Sequence, residues 1–257
     1  MLLPDDLTGK LFLPQNYHFH AVLDSTNREA MDLAHGDAPE GTVVVADQQT
    51  KGRGRLGRVW VSPPGVNLYF SMILRPPLVA RQVAQLTLLA GLALVETLVA
   101  AGVVEAVVKW PNDILVHGKK LAGILSEMVA VGERVRFVVI GVGVNVNGHA
   151  ASFPQEVAER AVTMVDILCQ STDRGGLLAE FLRTFEGWYG RYLQEGFVPV
   201  RQGWLGYARL MGQPVRVEMA SGVQTGVVLD MDEDGFLLIR QKEGELFRVM
   251  AGDVVFI

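Results

Sequence analysis

The apolar residues of this chain fall into runs of two periods, and each period names an element. Behind Leu23-Asp24-Ser25, Thr26 with Glu29 fits a capping box that opens a short helix running toward His35. Val43-Val44-Val45-Ala46 is an unbroken, mostly β-branched run, the pattern of a strand buried on both faces. Asn67 to Leu74 reads as the next strand and is stopped by Arg75-Pro76-Pro77. Arg81 to Ala101 is rich in leucine and alanine and ends at Gly102, which predicts a long helix. Val103 to Lys109 predicts a strand. Ile114 to Val116 and Leu121 to Val129, joined by His117-Gly118, predict a hairpin, and Arg134 to Val146 predicts one more strand. Leu177, Leu178, Phe181, Leu182, Phe185, Trp188, Tyr189 and Tyr192 recur at helical spacing, giving a second amphipathic helix that ends near Gly196.

After about residue 210 the period shortens. Pro214 to Met219, Gly226 to Met231, Phe236 to Arg240 and Leu246 to Met250 read as short strands, separated by turns at Ser221-Gly222, Asp232 to Gly235 and Glu243-Gly244. Evenly spaced short strands suggest a small β-barrel. The expected organisation is α+β: a mixed-sheet domain flanked by helices over residues 1–209, then a barrel over 210–257.

Composition narrows the function. The chain has 257 residues, 49% hydrophobic and 20% charged, which excludes a largely disordered protein. Its net charge is −5 (23 basic against 28 acidic residues), the wrong sign for general binding to a nucleic-acid backbone. A single cysteine, Cys169, allows no internal disulfide and suits a reducing cytoplasm. Met1 to Lys10 lacks the basic and apolar regions of a secretory signal, and the most apolar run, Leu86 to Val95, is about half of the ~20 residues a membrane span needs. The expectation is a cytoplasmic protein that engages neither membrane nor DNA.

Positive charge is nevertheless concentrated in one place. Lys51 to Arg58 holds four cations and three glycines in eight residues. Glycine lets backbone N–H groups approach a ligand, and arginine forks suit phosphate and carboxylate, so the loop reads as a cradle for a small anion. It has no Walker ending and no following helix of the Rossmann kind. Lys109-Trp110-Pro111-Asn112-Asp113 reads equally as a plain β-turn or as a site where Asp113 serves a hard cation. Lys119-Lys120 before an apolar strand is either exposed charge or a lysine at a pocket mouth. Gly141 and Gly143, alternating with valines, leave room for a ligand against the strand. The five histidines lack metal-ligand spacing, and Cys169 has no basic partner nearby in sequence.

Taken in order, Asp24 to Asn27, Gln48 to Arg58, Lys109 to Asp113, Lys120 to Leu125 and Gly141 to Asn145 resemble the motif series of the biotin protein ligase family, over about residues 18–257. The resemblance implies a class II synthetase-like biotin ligase fold with an SH3-like C-terminal barrel. It implies that biotin's carboxylate attacks the α-phosphate of ATP to give biotinyl-5′-AMP, and that a lysine of a biotin carboxyl carrier protein then takes the acyl group. Ser25, Thr26, Asn27, Gln49, Gly52, Arg53, Gly54, Arg55, Lys120, Gly123 and Ile124 are implied for biotin. Arg55, Arg58, Trp60, Lys109, Asn112, Lys120 and Asn145 are implied for the nucleotide, and Asp113 for Mg2+. Lys120, Arg53 and Arg55 carry the implied chemistry. Relatives often pair side by side, which implies a homodimer.

Two departures qualify the match. About twenty residues precede the motifs, too few for the DNA-binding domain of bifunctional members, so a monofunctional type without autorepression is expected. Ile257 stands where some relatives end in an ATP-contacting arginine, leaving Arg240 or Arg248 as substitutes. A lipoate–protein ligase is the nearest rival reading. A non-catalytic biotin- or nucleotide-binding regulator is the rival from another class.

Overall fold

The computed structural model describes residues 10–219, 221–242 and 244–257. The segment expected to lack a signal, save Lys10, and Glu243 of the last turn lie outside those residues. In chain order the elements are β1 (Tyr17–Leu23), α1 (Thr26–His35), β2 (Val43–Gln49), β3 (Leu68–Leu74), α2 (Val83–Ala100), β4 (Val107–Lys109), β5 (Asp113–Val116), β6 (Lys119–Val131), β7 (Arg134–Val144), α3 (Gln155–Ala158), α4 (Met164–Leu168), α5 (Arg174–Glu195) and α6 (Val198–Tyr207). The C-terminal strands are β8 (Pro214–Met219), β9 (Gly222–Met231), β10 (Leu237–Arg240), β11 (Leu246–Val249) and β12 (Asp253–Phe256).

The first seven strands form one mixed sheet in the order β1-β2-β3-β7-β6-β5-β4. Only β1 and β2 run parallel, with α1 as their connection; the other neighbours are antiparallel. On one face α1 covers β2, β3 and β7 through Ala30 and Ala34, packed on Val44, Ile73, Phe137 and Val139. On the other face lie α2, α5 and α6. α2 is apolar nearly all round because it is enclosed on several sides, by the sheet, by α5 and by α6. With the turn before it (Ala80–Ala100) it is the one helix, among the described residues, long and apolar enough to cross a membrane, yet 72% of its apolar 18-residue stretch is buried inside the protein. Its 21 residues exceed the apolar run read from sequence because Arg81 and Gln82 of the leading turn and Glu96 interrupt the run without ending the helix.

α5 shows why the sequence folds as it does. Asp173 caps it by accepting from the N–H groups of Gly175 and Gly176, and Gly196 ends it at φ 77°. Its buried stripe of Leu178, Phe181, Phe185 and Tyr189 continues as a ring stack against Phe70 and Phe12.

Four local expectations need correction. α1 has Ser25, not Thr26, at its N-cap and no side-chain cap, because the Thr26 hydroxyl is engaged elsewhere. The strand expected from Val103 shortens to β4: Val103 closes the end of α2 through Leu98 O, and Val103 and Ala106 tuck into the core from a turn. α6 and β12 escaped the pattern, β12 because only four residues carry it. The C-terminal strands form an antiparallel sheet, β11-β10-β9-β8-β12, with β11 and β12 at opposite edges, so no closed barrel forms among the described residues. That sheet is held to the mixed-sheet domain by Trp110 Nε1 of the β4–β5 turn donating to Gly235 O (3.0 Å), Gln85 Nε2 of α2 donating to Glu233 O (3.0 Å) and Arg201 of α6 paired with Asp230 (2.6 Å).

Candidate active site

Strand parity builds the cleft. Gly123 pairs with Gly143 and Leu125 with Gly141 across β6 and β7, and Ser71 of β3 pairs with Gly141. These residues share the sheet face that carries α1, and the three glycines leave it low. The spaces are used. A Cβ on Gly141 would lie 1.8 Å from Asn27 Oδ1, one on Gly143 2.5 Å from Trp60 Nε1, and one on Gly123 2.9 Å from Lys120 Cε. The cleft above is lined by Ser25, Thr26, Asn27, Gln49, Arg53, Gly54, Arg55, Trp60, Asn112, Lys120, Gly123 and Ile124, with Leu125, Gly141, Val142 and Gly143 as floor.

A β-bulge aims the lysine. Ile114 pairs with Ala122 but Leu115 pairs with Lys120, so β6 spends one extra residue at Leu121. In a regular strand Lys120 and Gly123, three residues apart, would face opposite ways; the extra residue puts both on the cleft side. Lys120 Nζ then sits 2.6 Å from Asp113 Oδ1 and 5.4 Å from the Trp60 ring centroid. The contact to Asp113 has ion-pair distance without hydrogen-bond alignment, so that buried carboxylate oxygen has no hydrogen-bond donor.

The glycine–arginine loop is a folded flap. Arg53 bridges to Val59, and Trp60 N–H donates to Gly52 O at 3.0 Å. Leu56 at its tip has φ 55° and is 73% exposed. Arg53 pairs with Glu127 (2.9 Å), Arg55 donates to Asn112 Oδ1 (2.9 Å), and Arg55 and Arg58 both meet Asp253 of β12. Asn112 braces in two directions, since its Nδ2 also donates to Ile124 O at 2.8 Å.

The profile of the Biotin/lipoate A/B protein ligase family matches residues 19–145, and that of the Biotin protein ligase C terminal domain matches 210–257. The bifunctional ligase/repressor BirA of Bacillus subtilis is 41% identical over 240 residues, covering 93% of this chain and 74% of that protein. The biotin–[acetyl-CoA-carboxylase] ligase of Paracoccus denitrificans is 35% identical over 239 residues, covering 92% and 98%. The chain belongs to the biotin protein ligase family. Among solved structures, the biotin protein ligase from Aquifex aeolicus in complex with biotin and ATP superposes with a TM-score of 0.80 at 30% identity, covering 95% of this chain and 99% of that one.

Not every residue expected in this ligase's site lines the cleft. Gly52, Arg58, Lys109, Asp113 and Asn145 stand outside its walls. Gly52 is packed under Trp60 O and Ser62 Oγ. Asn145 is buried and donates to Lys120 O and Val162 O, fixing the backbone on which Lys120 rides. Lys109 lines a separate groove with Arg209 and Phe256. Arg248, a candidate for ATP contact, is spent on Asp232, Asp234 and the Phe236 ring. Among the described residues no group of three acidic, histidine or cysteine side chains is placed to hold a metal ion. Asn27 itself is fully committed: Nδ2 donates to Leu125 O and Glu127, and Oδ1 accepts from Ser71. Sequence reading missed Glu127, Ser71 and Asp253. Counting in twos from Gly123 places Glu127 on the cleft face; nothing comparable marks Asp253.

Proposed function

We propose that this protein is an ATP-dependent biotin–protein ligase whose site is the cleft between the flap, Lys120 and the glycine floor. The observation that carries the reading is the convergence of Arg53, Arg55 and Lys120 on one low, glycine-floored cleft. Two anions must meet here, and three cations at the mouth offset their repulsion and hold them in line. A biotin carboxylate oxygen attacks the α-phosphorus and pyrophosphate leaves with its bonding pair. The acceptor lysine amine then attacks the acyl carbon, AMP leaves, and the amine gives up a proton. Lys120, rigid because Asn145 and the Arg160–Val162 backbone hold its strand, stabilises the charge at the carboxylate and the α-phosphate. Ser25 and the Gln49 amide present polar groups to the ureido ring, with Thr26 holding Gln49 in place, over a floor of strand backbone at Gly123, Ile124, Gly141 and Gly143; the Ile124 side chain turns to α2. The Trp60 indole, its Nε1 buried without an acceptor, stands on the nucleotide side with Asn112.

Every cation of the site is held by an internal carboxylate or amide, so a phosphate entering must share them with Asp113 and Asp253. Asp113, whose Oδ1 meets Lys120 Nζ at ion-pair distance without hydrogen-bond alignment, fits Mg2+, which is commonly held by one protein carboxylate plus substrate phosphates. Asp113 is the residue that would hold it, and the ion would shield the phosphate charge. The acceptor we propose is the carrier domain of a biotin-dependent carboxylase. A homodimer and a cytoplasmic location belong to the same reading; the outer edge of β6 beyond Gly123, with Met128 and Val131 exposed, supports pairing of two copies.

Transfer of radiolabelled biotin to a biotin carrier domain, with ATP and Mg2+ and with lipoate as parallel donor, tests the reading. Labelling by biotin alone is expected. Labelling by lipoate, or biotin binding without pyrophosphate release, overturns it.

A further inference from the structure

Glu127 is absent from the cleft walls, yet its carboxylate joins two parts of the site. Arg53 reaches it through both nitrogens, Nη2 to Oε1 at 2.9 Å and Nη1 to Oε2 at 3.2 Å. Asn27 Nδ2 donates to Oε2 at 2.9 Å. From Asn27 the polar chain runs on through Ser71 (2.6 Å), Thr26 (2.8 Å) and Gln49 (3.2 Å) to Ser62 (3.0 Å) and Trp60 O (3.0 Å). Both stems of the flap are thereby fastened to one network. Arg53 holds the entering stem through Glu127, and Trp60 holds the returning stem through Gln49.

Only an ionised carboxylate can accept from a guanidinium fork and an amide together. We propose that Glu127 is a positioning residue that ties the flap to the polar wall at Thr26 and Asn27, so that retention of the activated intermediate depends on a group that touches no reactant. The proposal rests on the ligase reading above, and it adds a residue and a coupling that the reading does not need.

The chemistry of the amide isostere separates the two clients. In Glu127→Gln the remaining oxygen keeps the place of Oε2, and the amide NH2 that replaces Oε1 meets Arg53 Nη2 donor against donor, driving the guanidinium off. Asn27 is 4% exposed, whereas the Arg53 side chain is 49% exposed. A buried donor left unsatisfied costs more than a guanidinium returned to water, so the oxygen stays with Asn27 and Arg53 is released. The wall keeps its shape while the flap loses one fastening.

The test is a double-mutant cycle on the full chain. Biotinyl-AMP is formed in place from labelled biotin, ATP and Mg2+, and its release is followed after dilution for the parent, Glu127→Gln, Arg53→Gln and the double variant. Glu127→Gln is expected to speed release about five- to tenfold, as for loss of one bidentate, half-exposed pair; Arg53→Gln, which also removes a cation of the mouth, at least as much; and the double variant no more than Arg53→Gln. Biotin affinity of Glu127→Gln is expected to stay within about twofold of the parent. Parent-like release, additive effects, or an equal loss of biotin affinity each overturns the tether. If the parent forms no intermediate, the ligase reading fails, and the tether is still judged by trypsin. Cleavage after Arg55 and Arg58 must quicken in Glu127→Gln; an unchanged rate overturns it.

Discussion

Replacing Gly141 with alanine puts a methyl group where the Asn27 amide lies. The three nearest atoms are all Asn27 atoms: Oδ1 at 1.8 Å, Cγ at 2.7 Å and Nδ2 at 3.2 Å. No Cβ tolerates the first two distances, so the amide must leave. It abandons a hydrogen bond from Ser71 Oγ (2.6 Å), one to Leu125 O (3.2 Å) and one to the Glu127 carboxylate (2.9 Å). At about 1 kcal/mol for each neutral bond and about 2 kcal/mol for the charge-assisted one, the cost is about 4 kcal/mol. That is a large share of the roughly 5–15 kcal/mol of a folded domain and corresponds to a fall of about 8–16 °C in Tm. Urea unfolding followed by circular dichroism measures it, in the parent and in Asn27→Ala. With Asn27 truncated the three atoms nearest the methyl group are gone, so the second substitution should cost under about 0.5 kcal/mol, a coupling of about 3 kcal/mol or more. An equal cost in both backgrounds, or none in either, refutes the account of this wall.

Three further outcomes are expected. Lys120→Gln should lower biotin-dependent pyrophosphate release at least about 100-fold, the usual effect of deleting one preorganised donor, while biotin binding changes far less; a rate within threefold of the parent contradicts the role. Asp253→Asn frees Arg55 and Arg58 from β12 and should change global stability by less than about 1 kcal/mol yet quicken tryptic cleavage in the flap, a difference that 1 M salt erases; equal cleavage at low salt counts against the clasp. Burial raises the phenols of Tyr17, Tyr69 and Tyr189 far above the ordinary 10.0 and pushes Tyr192 up to about 12. The folded state keeps these protons where the unfolded chain releases them, so their contribution is whole below pH 10 and fades as pH rises through the folded values. Phenolate absorbance should therefore appear together with unfolding, and a gradual titration centred on 10 for these four speaks against their burial.

Much of the fold was written in periodicity because burial follows it. Val43 to Ala46 and Leu68 to Leu74 are buried throughout, and the α5 stripe faces the core as its spacing demands. What the pattern lacked were facts about partners. Thr26 looks like a cap until Gln49 and Ser71, distant in sequence, take its hydroxyl. Lys109 sits in a motif whose other members converge on the cleft or its supports, but its place at the edge strand β4 turns it to another groove. Closure of the last five strands depends on whether β11 meets β12, which local sequence does not encode. No local pattern ties Glu127 or Asp253 to an arginine, because their arginines arrive from a loop far away in the chain.

The extra residue at Leu121 makes β6 a strand with two reading frames. On one side of it the odd and even positions mean one thing, and on the other they trade meanings. The ammonium group and the glycine it rests against belong to different frames, joined only at this fault. Deleting one residue there would restore an ideal hairpin and send Lys120 toward the apolar face beneath α2. A chain repaired in that way would gain regular pairing and lose its lysine, so the irregularity is a feature that stability-driven redesign of this hairpin must leave in place.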